Sequence, residues 1–192
     1  MKKDNHINFG TVEIIAIIVG VLVTSYIGYV AHYSANAEFV EILKYIKILV
    51  LAMFSALYGP ITGAIIGIAG TAFSQNLIPQ PMWVISAIGM AMYGAGIGMY
   101  CKHYNILAGK FGFREAILIE TVCIIDNIVV FTFYTPLANF FSQKTDILVE
   151  MKNGAGFAYY VSIFCLLLLP LICVSISYVC GKIKGLEKKE SK

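Results

Sequence analysis

Long apolar runs broken by short polar stretches set the pattern of this chain, with little strand-like alternation. The first run, 11–31 (TVEIIAIIVGVLVTSYIGYVA), has about 21 residues and makes a helix of about 31 Å, enough to cross the hydrocarbon of a bilayer. Five more runs predict helices over 43–58, 61–76, 82–100, 115–134 and 157–181. Only Gly59–Pro60 separates the second from the third, which predicts a tight helical hairpin with Pro60 at a helix start. Between the first two runs, 32–42 carries Glu38 and Glu41 beside Phe39 and Val40, the pattern of a short amphipathic segment at an interface. The longest polar stretch, 136–156, predicts an outer loop before the sixth run. The expected architecture is all-α: a six-transmembrane-helix bundle forming a single integral membrane domain over residues 1–192.

Composition sharpens this reading. Hydrophobic residues make up 59% and charged residues 13%, about half the usual charged share, which excludes a water-soluble enzyme or a disordered chain. The net charge of +3 gives no reason to expect a nucleic-acid partner. Its distribution sets the expected orientation. With the N-terminus inside, the inner side receives Lys2, Lys3, Lys102, Lys110, Arg114, Lys182, Lys184, Lys188, Lys189 and Lys192. The outer side receives Lys44, Lys47, Lys144 and Lys152, balanced by Glu38, Glu41, Asp146 and Glu150. This positive-inside bias places both termini in the cytoplasm of a multi-pass protein of a prokaryotic plasma membrane. Lys2, Lys3 and the Ala35-Asn36-Ala37 triplet resemble parts of a cleaved leader, but the apolar run is too long and ends in Tyr26, Tyr29 and Tyr33, so it reads as a retained helix.

Small residues recur at helical spacing: Ala16, Gly20 and Thr24 in the first run, Gly63, Gly67 and Gly70 in the third, and Gly89, Gly94, Gly96 and Gly98 in the fourth. Such stripes let helices approach closely, either inside the bundle or against another membrane subunit. Polar groups inside the spans are few and informative. Glu120, Asp126 and Asn127 lie on the fifth, with Asp126 about 120° from the face shared by the other two. They either bond neighbouring helices or face a ligand. Near the outer ends stand Asn76, Trp83, Ser86, Tyr134 and Tyr159, a mixture of rings and uncharged hydrogen-bonding groups suited to a flat heterocyclic solute, or else an ordinary aromatic belt. The five cysteines form no CxxC pair and read as buried apolar side chains, and the scattered His6, His32 and His103 make no metal site. No phosphate-binding loop or hydrolase motif occurs, so neither ATP hydrolysis nor a resident cofactor is expected of this chain. Arg114, the single arginine, lies inside; an outer pocket without a guanidinium favours a neutral or cationic solute, with Asp126 available to a cation.

With its amphipathic first outer loop, YGPITGAIIGIAG at 58–70 and MWVISAIGM at 82–90, the chain resembles the substrate-binding S components of energy-coupling factor (ECF) transporters, most of all the riboflavin-type and uncharacterised vitamin S components. The similarity is sharpest over 54–98. It implies high-affinity capture of a vitamin or related micronutrient outside the cell, riboflavin or a flavin-like compound first, for import driven by a membrane T component and two cytoplasmic ATPases. By position it implies solute contacts from His32, Trp83, Ser86, Asn127, Tyr134 and Tyr159, and docking to the T component through Ala16 and Gly20. Two alternatives stand beside it: a structural or assembly subunit of another membrane complex, and an intramembrane enzyme with Glu120 and Asp126 as acid and base.

Overall fold

A computed structural model describes residues 10–76, 83–104, 106–109 and 111–190, without the side chains of 75, 76, 83 and 184–190. Among the described residues the chain is helical, with no strand. The elements are α1 (Thr11–Tyr33), α2 (Ala37–Tyr58), α3 (Pro60–Asn76), α4 (Trp83–Cys101), a 3-10 turn at Ile106–Ala108, α5 (Phe113–Asn127), a π-helical segment at Ile128–Tyr134, α6 (Thr135–Gln143) and α7 (Ile147–Glu190). Four stretches are long and apolar enough to cross a membrane: Thr11–Tyr33, Val84–Ala108, Phe113–Gln143 and Ile147–Ile183. The apolar helix over Pro60–Ser74 is shorter, and α2 carries Glu38, Glu41, Lys44 and Lys47 in its first half.

Local chemistry fixes the ends. Asn36 caps α2 by accepting from the backbone N–H groups of Glu38 and Phe39, and Gly59 breaks the hairpin at a φ of 92°, where a side chain would be strained. The amphipathic segment expected over 32–42 is therefore the first turns of α2 itself. The polar stretch 136–156 is a correction to the expected loop. α6 continues α5 through Gln143, and α7 starts at Ile147, leaving Lys144–Asp146 as the connection. Lys144 takes the left-handed conformation that ends α6, and the Asp146 carboxylate caps α7 by accepting from Leu148 and Val149. The charges that suggested a loop sit on helix ends instead. At 44 residues α7 spans roughly 66 Å, far more than a bilayer core.

Contacts define an up-and-down bundle. Gly20 meets Ile66 and Gly28 meets Ser74, so α1 and α3 run parallel; Gly63 meets Gly94 and Gly67 meets Met90, so α3 and α4 run antiparallel. A Cβ at Gly63, Gly67, Gly94 or Gly98 would strike backbone across the α3–α4 contact, so these four glycines form the internal α3–α4 seam, while Gly70 faces Thr24 of α1 and Gly89 and Gly96 face the α5 side. Ala16, Gly20 and Thr24 are likewise buried, Gly20 against Ile66 and Thr24 against Gly70 of α3. Ala16, expected together with Gly20 to meet a partner, is 4% exposed in the isolated chain, and the outward stripe of α1 is Val12, Ile15, Val19, Leu22 and Tyr26. The core runs from Ile48, Leu49 and Ala52 of α2 through Tyr93 and Ile97 of α4 to Ile119 of α5 and Val161 and Leu169 of α7.

Candidate functional site

The α4–α5–α7 side of the bundle holds the polar groups that an apolar interior must justify. Asp126 and Asn127, adjacent on the last turn of α5, point to different neighbours, as their angular offset requires. The Asp126 carboxylate lies over Gly96 of α4, where a Cβ would collide with it. Asn127 is fully buried; its Nδ2 donates to Ser162 Oγ of α7 at 3.0 Å. Asp126 Oδ2 and Asn127 Oδ1 are both buried without a hydrogen-bond partner. Unspent acceptors of this kind are costly in an apolar interior and so are candidates for a ligand's donors.

The π segment starts at the next residue. Its wider turns advance roughly 80° per residue instead of 100°, and they rotate Tyr134 away from the face of Asn127, which α-helical phase would give it. Asp126, Val130 and Tyr134 consequently form one row against α4. The Tyr134 ring covers Gly89, with Val130 beside it, and its hydroxyl donates to the Ile85 carbonyl at 3.3 Å. Thr135 closes the segment, its backbone N–H and its Oγ1 both donating to the Val130 carbonyl. On the opposite side the Phe131 carbonyl approaches Gly154 of α7 so closely that no Cβ fits there.

A run of rings lines the inner face of this region. Tyr45 of α2 lies 5.5 Å from Phe157 and 6.4 Å from Tyr160, Phe157 lies 5.0 Å from Phe131, and Phe131 lies 6.0 Å from Tyr93. Tyr93 is fully buried, its hydroxyl 3.9 Å from Cys165 Sγ. Cys101, Cys123, Cys165 and Cys173 are buried and unpaired, packing as small apolar groups. Among the described residues no group of three His, Cys, Asp or Glu side chains could hold a metal ion.

The expected site residues therefore part company. The structure brings Asp126, Asn127 and Tyr134 to one helix segment, and Ser86 follows the Ile85 carbonyl that Tyr134 bonds. Tyr159 is 63% exposed, edge-on to Tyr160, and His32 is exposed against Tyr33. Neither joins Asp126 and Asn127. Asn76 ends α3 and Trp83 begins α4, and both side chains lie outside the described residues. Glu120 lies six residues before Asp126, on a face roughly 120° away. Ser162, Tyr93, Phe131 and Tyr45 complete the region. The rings gave no signal in the sequence beyond aromatic content, because their meeting depends on α2, α4 and α7 converging. Lys47 was expected among outer charges balanced by Glu38 and Glu41, but its Nζ donates to Ser74 Oγ at 3.1 Å, and the Lys44–Glu41 pair is the ion pair found among the described residues.

No family model matches the chain, and no solved structure matches it. Curated sequences do. A UPF0397 protein of Lactococcus lactis subsp. cremoris strain NZ9000 is 32% identical over 90 residues, 47% of this chain and 50% of the relative. A UPF0397 protein of Streptococcus pneumoniae serotype 4 strain TIGR4 is 23% identical over 116 residues, 59% of this chain and 64% of the relative. The chain thus spans about half the length of the lactococcal relatives it matches, and its similarity is to UPF0397 proteins of bacteria.

Proposed function

We propose that this chain is a multi-pass protein of a bacterial plasma membrane that captures a small vitamin-like solute from outside and hands it to an ATP-driven importer of the ECF type. In this reading α2 and α3 also lie in the membrane, six helical passes in all, with both termini cytoplasmic. The observation that carries it is the pair of unspent buried acceptors, Asp126 Oδ2 and Asn127 Oδ1, at the start of a π segment beside the Tyr45–Phe157–Phe131–Tyr93 rings. Rings supply flat apolar faces, and the two oxygens supply directed contacts to donors of a neutral or cationic heterocycle. Helices interrupted by π turns recur at functional sites, since such a turn re-aims side chains without ending the helix. In this reading, release on the inner side comes from the domain reorienting against a partner membrane subunit whose associated ATPases supply the energy. The outward stripe Val12, Ile15, Val19, Leu22 and Tyr26 of α1 is available to such a subunit.

Purified full-length protein, unfolded thermally against riboflavin, thiamine, folate, biotin, pantothenate, pyridoxine forms and cobalamin, tests the reading. One of them is expected to raise Tm by several degrees, as a ligand at 100 times its Kd stabilises by about 2.7 kcal/mol. Mass spectrometry of the co-purified small molecules gives an independent identification. A flat response to the panel together with no retained molecule would remove the capture function.

A further inference from the structure

Outside the α4–α5–α7 region, Lys47 is a half-buried cation with no ion pair among the described residues. Lys47 sits ten residues into α2, about 15 Å from its start, where α1, α2 and α3 meet. Its ammonium donates to Ser74 Oγ of α3 and lies beside Gly28 of α1, where a Cβ would come within 3.4 Å of Nζ. None of the helices around it supplies an acid. α3 and α4 contain no Asp or Glu, and the one acid of α1, Glu13, is fifteen residues from Gly28. On α2, Glu41 is occupied by Lys44, and Glu38 lies on the opposite face. Tyr45 faces α7, so Lys47 does not belong to the ring-lined region.

The donors here outnumber the acceptors. A lysine ammonium has three N–H groups, of which Ser74 takes one. Ser74 spends its own proton on the Thr71 carbonyl, and Thr71 Oγ1, one turn earlier on α3, is buried without a partner. A group that only accepts, and carries negative charge, complements this set; an alcohol or a ring nitrogen leaves the charge unanswered. We propose that Lys47 and Ser74, whose side chains meet over Gly28 of α1, form an oxyanion-binding site taking a carboxylate or phosphate group at the α1–α2–α3 junction. The anion comes either from a soluble molecule or from a lipid headgroup, and the site stands independently of solute capture at Asp126 and Asn127.

The test uses the full chain in phospholipid-free dodecyl maltoside at constant ionic strength. Two probes are added separately: inorganic phosphate, and phosphatidylglycerol doped into the micelle. Either or both should raise the Tm of the wild type by about 2–5 °C. The shift should persist in Lys47→Arg, which keeps the charge, and vanish in Lys47→Met, which keeps the stem. A response to phosphate alone assigns a soluble anion, and a response to phosphatidylglycerol alone assigns a headgroup. If Lys47→Met does not fold, Ser74→Ala must at least halve the shift. An unshifted wild type, or equal shifts in wild type and Lys47→Met, overturns the site. Neither result bears on the vitamin panel.

Discussion

Asn127 shows what a single residue decides in this molecule. Its amide spends one N–H on Ser162 and leaves its oxygen buried without a protein partner. Asn127→Ala and Ser162→Ala should each destabilise the chain by about 1 kcal/mol, and a double-mutant cycle should return a coupling of about 0.5–1.5 kcal/mol. Additive effects would mean that the bond contributes nothing. Asp126→Asn makes a different prediction. The carboxylate has one buried oxygen without a partner, so the neutral isostere should hold or raise the Tm while weakening binding of a cationic solute at least tenfold. A lower Tm for this variant would reveal an ionic partner. The sequence identified both residues from the rarity of polar groups in an apolar run. It was silent on what they touch, because an offset of 100° between adjacent residues says only that they diverge.

Between helices, the glycines of α3 and α4 set the spacing. A Cβ at Gly67 meets the Met90 carbonyl and its neighbours, which are backbone and cannot rotate away. Gly67→Val should therefore force the helices apart and cost at least 1–3 kcal/mol, roughly the penalty of overpacking. Gly156 is the control: it is helical and has nothing within 4 Å, so Gly156→Ala should stabilise by about 0.5–1 kcal/mol. Melting temperatures of the two variants in one detergent check both. The glycine spacing was visible in the sequence, but its use was ambiguous between an internal seam and a partner surface. Only the pairing of α3 with α4, and of Gly20 and Thr24 with α3, selects the seam.

The whole molecule raises the question of orientation. With both termini cytoplasmic, single cysteines introduced at Ser34 and Lys144 should react with a membrane-impermeant maleimide on intact cells. One introduced at Lys102 should react only after permeabilisation, against a background in which the half-buried Cys180 is replaced by Ala and Cys101, Cys123, Cys165 and Cys173 are buried. The reverse pattern would invert the topology and move the Lys47 site to the cytoplasmic face. Helical length adds a further expectation. α5, the π segment and α6 run continuously for 31 residues and α7 for 44, both beyond the reach of a bilayer core. Phe141 and Leu148, 78% and 74% exposed at the hairpin tip, should then stand outside the hydrocarbon.

Apolar run length and the scarcity of charge determined by themselves that this chain is helical and carries segments able to cross a membrane, because a bilayer accepts only backbones that satisfy their own hydrogen bonds. Residue identity also singled out Asp126 and Asn127. Tertiary structure decided the rest. It turned the Ala16–Gly20 stripe inward, converted an expected loop into helix, rotated Tyr134 through a π turn and left Lys47 facing a hydroxyl instead of a carboxylate. Each of these depends on which helix stands opposite, and a linear pattern carries periodicity along one helix without naming its neighbour.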